Sequence, residues 1–479
     1  MNDYDVQPDY ARPGGPWDLP TLDLLAPPRV FCRGGWLSSD EVAQRAANVA
    51  GGLRALGIED GHVVAFQIPP SLDSLVILLG CWYLGAIAMP VHHRYSDREV
   101  ADLAERARAR VVVNQGMIRQ LSAARPAVIS SPSSDQDALL LATSGSSGRP
   151  KIVRHTHRSL AYKGTSLVAA HGLNSADVVL TPAPMAHMGG LLCGVLIPAY
   201  AGMGAVYMPR WSPERALDCI KQFKVSYMVG PPTFFIQMLR LPEFDRSAVE
   251  SLRIVSCGGA SVTASFCEYA SARLGAWVKR TYGSTEAPSV TTSLAGELPE
   301  LGWTTDGRTF GDCQLRIDDD TQEILIRGPE LFAGYLGEDS NDIPIDSDGW
   351  YRSGDKGRIE GGRLSVTGRI RKLIIRGGEN IDPTEVENVC GRFPGVTNAC
   401  VQGVHDDLMG ERVGVVLEAD QQLSLIDLQD FCTSSGLARF KQPERIVTVS
   451  ELPTNAFGKV DQPTITTLLT GLGGKASDV

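Results

Sequence analysis

From Met188 to Pro209 the chain carries no charged residue. Such a run suits either the hydrocarbon of a membrane, which a helix crosses in about 20 residues, or the dry interior of a parallel-sheet protein. Gly189, Gly190, Gly194, Pro198, Gly202 and Gly204 interrupt it, which favours a buried helix, a turn and a buried strand over a single span. The flanking sequence has the matching rhythm. Ser38-Ser-Asp40-Glu41 opens a capped amphipathic helix ending at Gly57, and Val63–Ile68 reads as a strand. Leu72–Leu84 follows as a helix, Ala86–Val91 as a strand, Asp97–Ala109 as a helix and Val111–Val113 as a strand. Further strands are expected at Val178–Leu180, Ala205–Tyr207, Ser226–Val229 and Arg253–Ser256. Alternation at this spacing predicts an α/β fold with parallel sheets buried between helices, and no repeat of fixed period is present.

From Gly311 the pattern shifts to short β runs, Gln314–Ile317 and Glu323–Arg327, around the turn at Asp318–Asp320, which reads as a small β subdomain. Past a hairpin-like segment at Arg363–Thr367, a strand at Leu373–Arg376, a helix at Pro383–Arg392, strands at Ala399–Val404 and Glu411–Glu418 and a helix at Ser424–Ser434 make a small α+β unit. The expected division is a large N-terminal domain, 1–370, and a small mobile C-terminal domain, 371–479. Residues 1–35, rich in Pro, Gly and Asp, are expected to run over the surface.

With 45 Lys and Arg against 55 Asp and Glu, the formal charge of −10 opposes a protein whose task is to coat nucleic acid. The ten cysteines form no C-x-x-C pair and no zinc spacing, and the acidic start Met1–Asp5 has no signal-peptide form. A reduced, cytoplasmic protein without a membrane span is the expectation, as monomer or homodimer.

The strand at Leu139–Ala142 runs into Thr143-Ser-Gly145-Ser-Ser-Gly148-Arg-Pro-Lys151. Gly145 and Gly148 allow backbone N–H groups to turn toward an anion, and Thr143, Ser144, Ser146 and Ser147 add hydroxyl donors. Lys151 brings a point charge. The spacing is not that of a Walker loop, because the glycines are too close and Pro150 intervenes.

This loop resembles the signature loop of the adenylate-forming superfamily: acyl-CoA synthetases, peptide-synthetase adenylation domains and beetle luciferases. The resemblance implies that it holds the β- and γ-phosphates of ATP. Other stretches match in order. Tyr282-Gly283-Ser284-Thr285-Glu286 resembles the family's Tyr-Gly-x-Thr-Glu motif, which implies Thr285 on the α-phosphate and Glu286 on Mg²⁺. Trp350-Tyr-Arg-Ser-Gly-Asp355 with Gly368-Arg369 resembles the motifs whose Asp and Arg bind ribose hydroxyls. Gly258-Gly259-Ala260 resembles the loop beside adenine and acyl pocket, and Pro184-Met-Ala-His187-Met-Gly-Gly190 the stretch whose His lies near the carboxylate. Met188, Gly190, Thr233 and Phe234 complete an expected apolar acyl pocket with Gly259. Leu452-Pro-Thr-Asn-Ala-Phe-Gly-Lys459 resembles the motif carrying the catalytic lysine.

Arg376-Gly377-Gly378-Glu379-Asn380-Ile381 looks like the version of its motif found in acyl-CoA and aryl-CoA ligases, where the loop swings in to line a pantetheine tunnel. The implied activity is two-step: a small carboxylic acid and Mg·ATP give acyl-AMP, and the thiol of CoA then takes the acyl group, with the C-terminal domain turning about Arg371. Lys441-Gln-Pro-Glu444 offers neutral and acidic residues where many such ligases have basic ones. That keeps a pantetheinyl acyl carrier protein open as alternative acceptor. A non-catalytic nucleotide-binding regulator on the same scaffold would require a lost catalytic position, and none of the motif positions is lost.

Overall fold

A computed structural model describes residues 26–32, 35–129, 132–143, 150–259, 262–337, 344–370, 373–453 and 460–471. Its largest sheet has nine strands, in the order Arg308–Thr309, Thr291–Thr292, Trp277–Tyr282, Ile254–Cys257, Tyr227–Gly230, Val178–Thr181, Gly204–Tyr207, Arg29–Cys32 and Gly35–Leu37. From Trp277–Tyr282 to Arg29–Cys32 the neighbours are parallel, and antiparallel strands close both edges. A second sheet orders Val111–Asn114, Val63–Gln67, Ile87–Pro90, Asp137–Thr143 and Lys151–Thr156, parallel except for the last pair.

One continuous apolar core draws on strands of both sheets and on the helices Ser39–Ala55, Leu72–Tyr83 and His157–His171. Strands covered on both faces have no polar face to show, which is why they read as unbroken apolar runs. The expected helix cap is present and takes the form of a capping box: Ser38 Oγ accepts from Glu41 N–H, and the Glu41 carboxylate accepts from Ser38 N–H at 2.7 Å.

The uncharged run folds as helix Met188–Leu191, a π-helical turn Leu192–Leu196, helix Ile197–Ala201 and strand Gly204–Tyr207. The wide turn is closed by the strand that follows, because Tyr207 Oη donates to the Gly194 carbonyl at 2.5 Å. Among the described residues no helix is long and apolar enough to cross a membrane.

The surface course expected for residues 1–35 does not hold at Arg29–Cys32. This segment pairs in parallel with Gly204–Tyr207, and Val30 is fully buried. Pro27, Pro28 and Gly35 give its surroundings a loop-like composition that masks the short β run.

The β subdomain is a four-stranded antiparallel sheet, Gln314–Ile317, Glu323–Arg327, Tyr351–Glu360 and Arg363–Arg369. The smaller C-terminal domain is built on five strands: Glu379–Ile381, Ile374–Arg376, Gly410–Ala419 and Val396–Asp406 in order, with Arg445–Val449 parallel to Gly410–Ala419. Helices Pro383–Cys390 and Leu425–Ser434 cover one core and Gln462–Thr470 another.

Candidate active site between the two domains

The hairpin that flanks the expected phosphate loop pairs Thr143 with Lys151 at its open end. Ser144, Gly145, Ser146, Ser147 and Gly148 lie outside the described residues. The lysine ammonium stands 4.2 Å from the centre of the Tyr335 ring, and Tyr335 Oη donates to Glu286 Oε1 at 3.0 Å. The edge of the same hairpin carries Tyr335, through an antiparallel bridge from Val153. Loop end, aromatic ring and carboxylate are thereby brought together from three stretches of chain.

The turn at 282–286 is held from beneath. Buried His155 lies with Nε2 at 2.7 Å from the Thr285 carbonyl, which can only accept, so that nitrogen carries the proton. Burial pushes the pKa of His155 down to about 4, against the opposing effect of the carbonyl, and the ring is neutral. Ser284 Oγ accepts from Ala287 N–H at 3.1 Å and the Ala287 carbonyl accepts from Ser284 N–H. Tyr282 Oη donates to Asp355 Oδ2 at 2.9 Å, and Arg369 Nε contacts Oδ1 at 2.8 Å. Asp355 and Arg369 face each other across one hairpin. Burial raises the Asp355 pKa despite Arg369 beside it. A carboxylate held by a phenol and a guanidinium is well placed to exchange partners with vicinal hydroxyls.

Gly258 and Gly259 follow the strand Ile254–Cys257, Gly258 lying against Thr281, and Ala260 lies outside the described residues. Thr233 is buried with no hydrogen bond to Oγ1 among the described residues, Met188 is buried, and Phe234 stacks on Trp211 with ring centres 4.2 Å apart. Gly190 has a packing reason for its small size: a Cβ there would lie 2.0 Å from the Pro184 carbonyl oxygen.

The loop Gly377–Glu379 of the C-terminal domain reaches across to this region. Gly378, at φ +88°, packs against Pro231, whose Cγ would be 2.9 Å from an added Cβ. Glu379 enters between two histidines: His92 Nε2 is 2.9 Å from Oε1 and His187 Nε2 is 2.9 Å from Oε2. Burial lowers the His92 pKa, more than Glu379 restores it. Burial also opposes the charge on His187, but the Glu379 carboxylate outweighs it and the pKa is raised. Glu379 itself is held well below the usual carboxylate range by the two rings, overcoming its burial.

His92 is not among the residues the sequence motifs single out. It follows the parallel strand Ile87–Pro90, and in such sheets ligand sites gather beyond the carboxyl ends of strands. A histidine pair directly after a parallel strand is the available signal. Lys459 and Arg371 lie outside the described residues.

A second contact fixes the domains. Lys441 is buried at 2% exposure and its Nζ donates to Glu99 Oε1 at 2.9 Å and to Glu385 Oε1 at 2.8 Å. Glu99 sits on the N-terminal helix Asp97–Arg106, whose Arg106 donates to the Pro150 carbonyl at 2.7 Å. Ser96 Oγ and Arg98 add bonds to the carbonyls of Gly436 and Ser435. Glu444 is engaged inside its own domain, by Arg376 at 2.6 Å and Arg412 at 2.9 Å.

Residues 26–336 match the AMP-binding enzyme family, and residues 385–459 match the AMP-binding enzyme C-terminal domain. Over 471 residues the chain is 29% identical to the medium-chain fatty-acid–CoA ligase of Escherichia coli, covering 87% of this chain and 83% of that one. The malonyl-CoA ligase ternary product complex with methylmalonyl-CoA and AMP superposes with a TM-score of 0.79 at 25% identity, covering 90% of this chain and 97% of the other. ATP-bound MatB from Rhodopseudomonas palustris gives 0.67 at 25% identity, covering 93% and 96%. Matched by the family over most of its length, with the family's C-terminal domain in its place, the chain belongs to the AMP-binding enzymes.

Proposed function

We propose that this protein is an AMP-forming acid–CoA ligase. It activates a small carboxylic acid with ATP as an acyl-adenylate and passes the acyl group to the thiol of CoA. The observation that carries this reading is the gathering of Lys151, Glu286, Tyr282 and Asp355 around the turn at 282–286, through Tyr335 on one side and the Tyr282–Asp355 hydrogen bond on the other, with Glu379 of the C-terminal domain brought to His187.

In this reading the loop from Thr143 to Gly148 and Lys151 hold the β- and γ-phosphates, Thr285 contacts the α-phosphate, and Asp355 with Arg369 takes the ribose hydroxyls. Gly258, Gly259, Ala260 and Tyr282 border the adenine. Glu286 would hold Mg²⁺. It engages Tyr335 through one oxygen and has a second, which suits an ion that takes one or two carboxylates and fills its shell with phosphate oxygens and water. When bound, the ion would neutralise phosphate charge. The acid's carboxylate attacks the α-phosphorus, the bond to pyrophosphate breaks, and Lys459 stabilises the charge that develops. We place the domain boundary at 370/371, with Arg371 as the hinge, and the protein in the cytoplasm.

The present domain arrangement is read as the thiolation orientation. Docking of Glu379 onto His92 and His187 supports this. Glu444, whose charge spoke for a carrier-protein acceptor, is neutralised by Arg376 and Arg412 and so does not stand as a bare anion against a phosphate of CoA. The test is a product analysis. Over a panel of carboxylic acids, acid-dependent AMP and pyrophosphate are expected, with thioester formed on CoA. ADP and phosphate as main products would overturn the assignment, and transfer to a pantetheinylated carrier protein alone would move the acceptor.

A further inference from the structure

Helix His157–His171 runs through the core, and every residue from Ser159 to Gly164 is buried, so a lysine near its centre has no path to water. Lys163 stands there with its side chain 1% exposed, against a Glu330 side chain that is 0% exposed. Lysine and glutamate are almost never buried to this degree unless paired, and even then the pairing seldom repays the lost hydration. The distance between them makes the balance worse. Lys163 Nζ is 3.6 Å from Glu330 Oε1, outside hydrogen-bond range, while the ammonium donates to the Ser289 carbonyl at 3.3 Å and has the centre of the Phe310 ring 4.4 Å away. A pair so placed adds little to stability, and its place in the fold gives it another use.

Ser289 and Glu330 belong to the two stretches that hold Glu286. The first is the turn itself. Ser289 takes φ +42°, unusual without a glycine, and its backbone nitrogen would lie 2.2 Å from a Cβ at Gly283, so the return arm is folded tightly onto the start of the turn. The second stretch is 330–335. From it Phe332 N–H donates to the Glu286 carbonyl at 2.9 Å, and Tyr335 Oη donates to the Glu286 carboxylate at 3.0 Å. Lys163 is the charge at which both stretches meet, through the carbonyl of one and the carboxylate of the other. Held by the helix, the ammonium sets the spacing between the turn and the segment that aims its carboxylate.

We infer that Lys163 and Glu330 are positioning residues for Glu286, and through it for the metal and phosphate contacts of adenylation; this rests on the ligase reading above. Both act through the turn at 282–286, and neither is a catalytic residue. Thiolation has no triphosphate to hold, so a slackened Glu286 should spare it.

The experiment replaces the pair in the full chain by apolar side chains of similar length, Lys163→Met together with Glu330→Leu. Such a replacement is often neutral or stabilising, so the thermal unfolding temperature should hold or rise while function alone is lost. Mn²⁺ binding in the presence of a non-hydrolysable ATP analogue, followed by electron spin resonance, should weaken roughly 10-fold, the lower end of what supporting residues around a metal ligand contribute. The Mg²⁺ concentration for half-maximal pyrophosphate release should rise by a similar factor, with the conversion of ready-made acyl-AMP and CoA unchanged. Glu330→Gln keeps the shape and removes the charge; it should move both metal readouts in the same direction, and it serves if the double variant does not fold. Wild-type Mn²⁺ affinity in a folded variant would overturn the inference and leave the pair a structural one, as would equal losses in both half-reactions. Absence of AMP formation in wild type would instead sink the ligase reading beneath it, and the Mn²⁺ measurement would still decide whether the pair positions Glu286.

Discussion

Glu99→Gln is the substitution that most directly separates the two domain arrangements. Lys441 is buried with two carboxylates, and only one of them, Glu99, belongs to the N-terminal domain. Glu99 Oε2 also accepts from Ser96 N–H at 2.8 Å and Ser96 Oγ at 2.9 Å, which caps its helix. A glutamine oxygen can keep that cap, but its amide group then meets the Lys441 ammonium donor to donor. Breaking a buried ion pair outright costs about 3–5 kcal/mol, and a charged hydrogen bond is worth about 1.5–3 kcal/mol. Glu385 remains with Lys441, so the lower range applies, and roughly 1.5–3 kcal/mol shifts the docked arrangement roughly 10- to 150-fold toward the undocked one. Thiolation from supplied acyl-AMP should fall toward that factor, while pyrophosphate release from ATP and acid holds or rises. Thermal unfolding of the variant serves as the folding control. Equal loss in both half-reactions, or no change in either, would refute the view that this ion cluster holds the domains in the thiolation orientation.

Gly378→Ala should act on the same equilibrium, since a Cβ at φ +88° would lie 2.9 Å from Pro231 Cγ; lower thiolation with adenylation retained is expected in paired half-reaction assays. Lys459→Ala should do the reverse, losing roughly 10²- to 10³-fold in adenylation while ready-made acyl-AMP is still converted, as measured by separate rates for the two steps. His155 gives a pH signature in stability. Its folded pKa of about 4 lies below the usual 6.5, so the unfolded chain binds the proton first as pH falls. The stabilisation is complete above the usual value and declines toward the folded one, by about 2 kcal/mol between about pH 7 and about pH 5. Urea unfolding at both values should show a smaller difference for His155→Gln than for wild type.

What could be read from the sequence is what depends on neighbours along the chain. The cap of the helix that opens at Ser38, the apolar run of Met188–Pro209 and the hairpin-like segment at Arg363–Thr367 are local patterns, and each is found where it was expected, the last as part of the strand Arg363–Arg369 paired with Tyr351–Glu360. The strand Arg29–Cys32 was hidden because its evidence is its partner, Gly204–Tyr207, far along the chain. His92 and Lys441 were hidden for the same reason: each takes its meaning from a carboxylate in the other domain.

The segment Lys441–Glu444 shows where this limit bears on function. In sequence, Glu444 is a negative charge at a position where CoA would want a positive one. In three dimensions it is the carboxylate that fastens Arg376, at the root of the Gly377–Glu379 loop, to Arg412 on the neighbouring strand. Its low pKa follows from those hydrogen bonds and charges overcoming its burial. Removing it would leave two guanidinium groups facing each other beneath the loop that delivers Glu379. Glu444→Gln should therefore weaken thiolation through misplacement of that loop, with the loss appearing in kcat for acyl-AMP plus CoA. If Glu444 instead repelled CoA, the same substitution would lower KM for CoA and leave kcat alone, so the split between the two constants decides between a loop support and a charge that faces the acceptor.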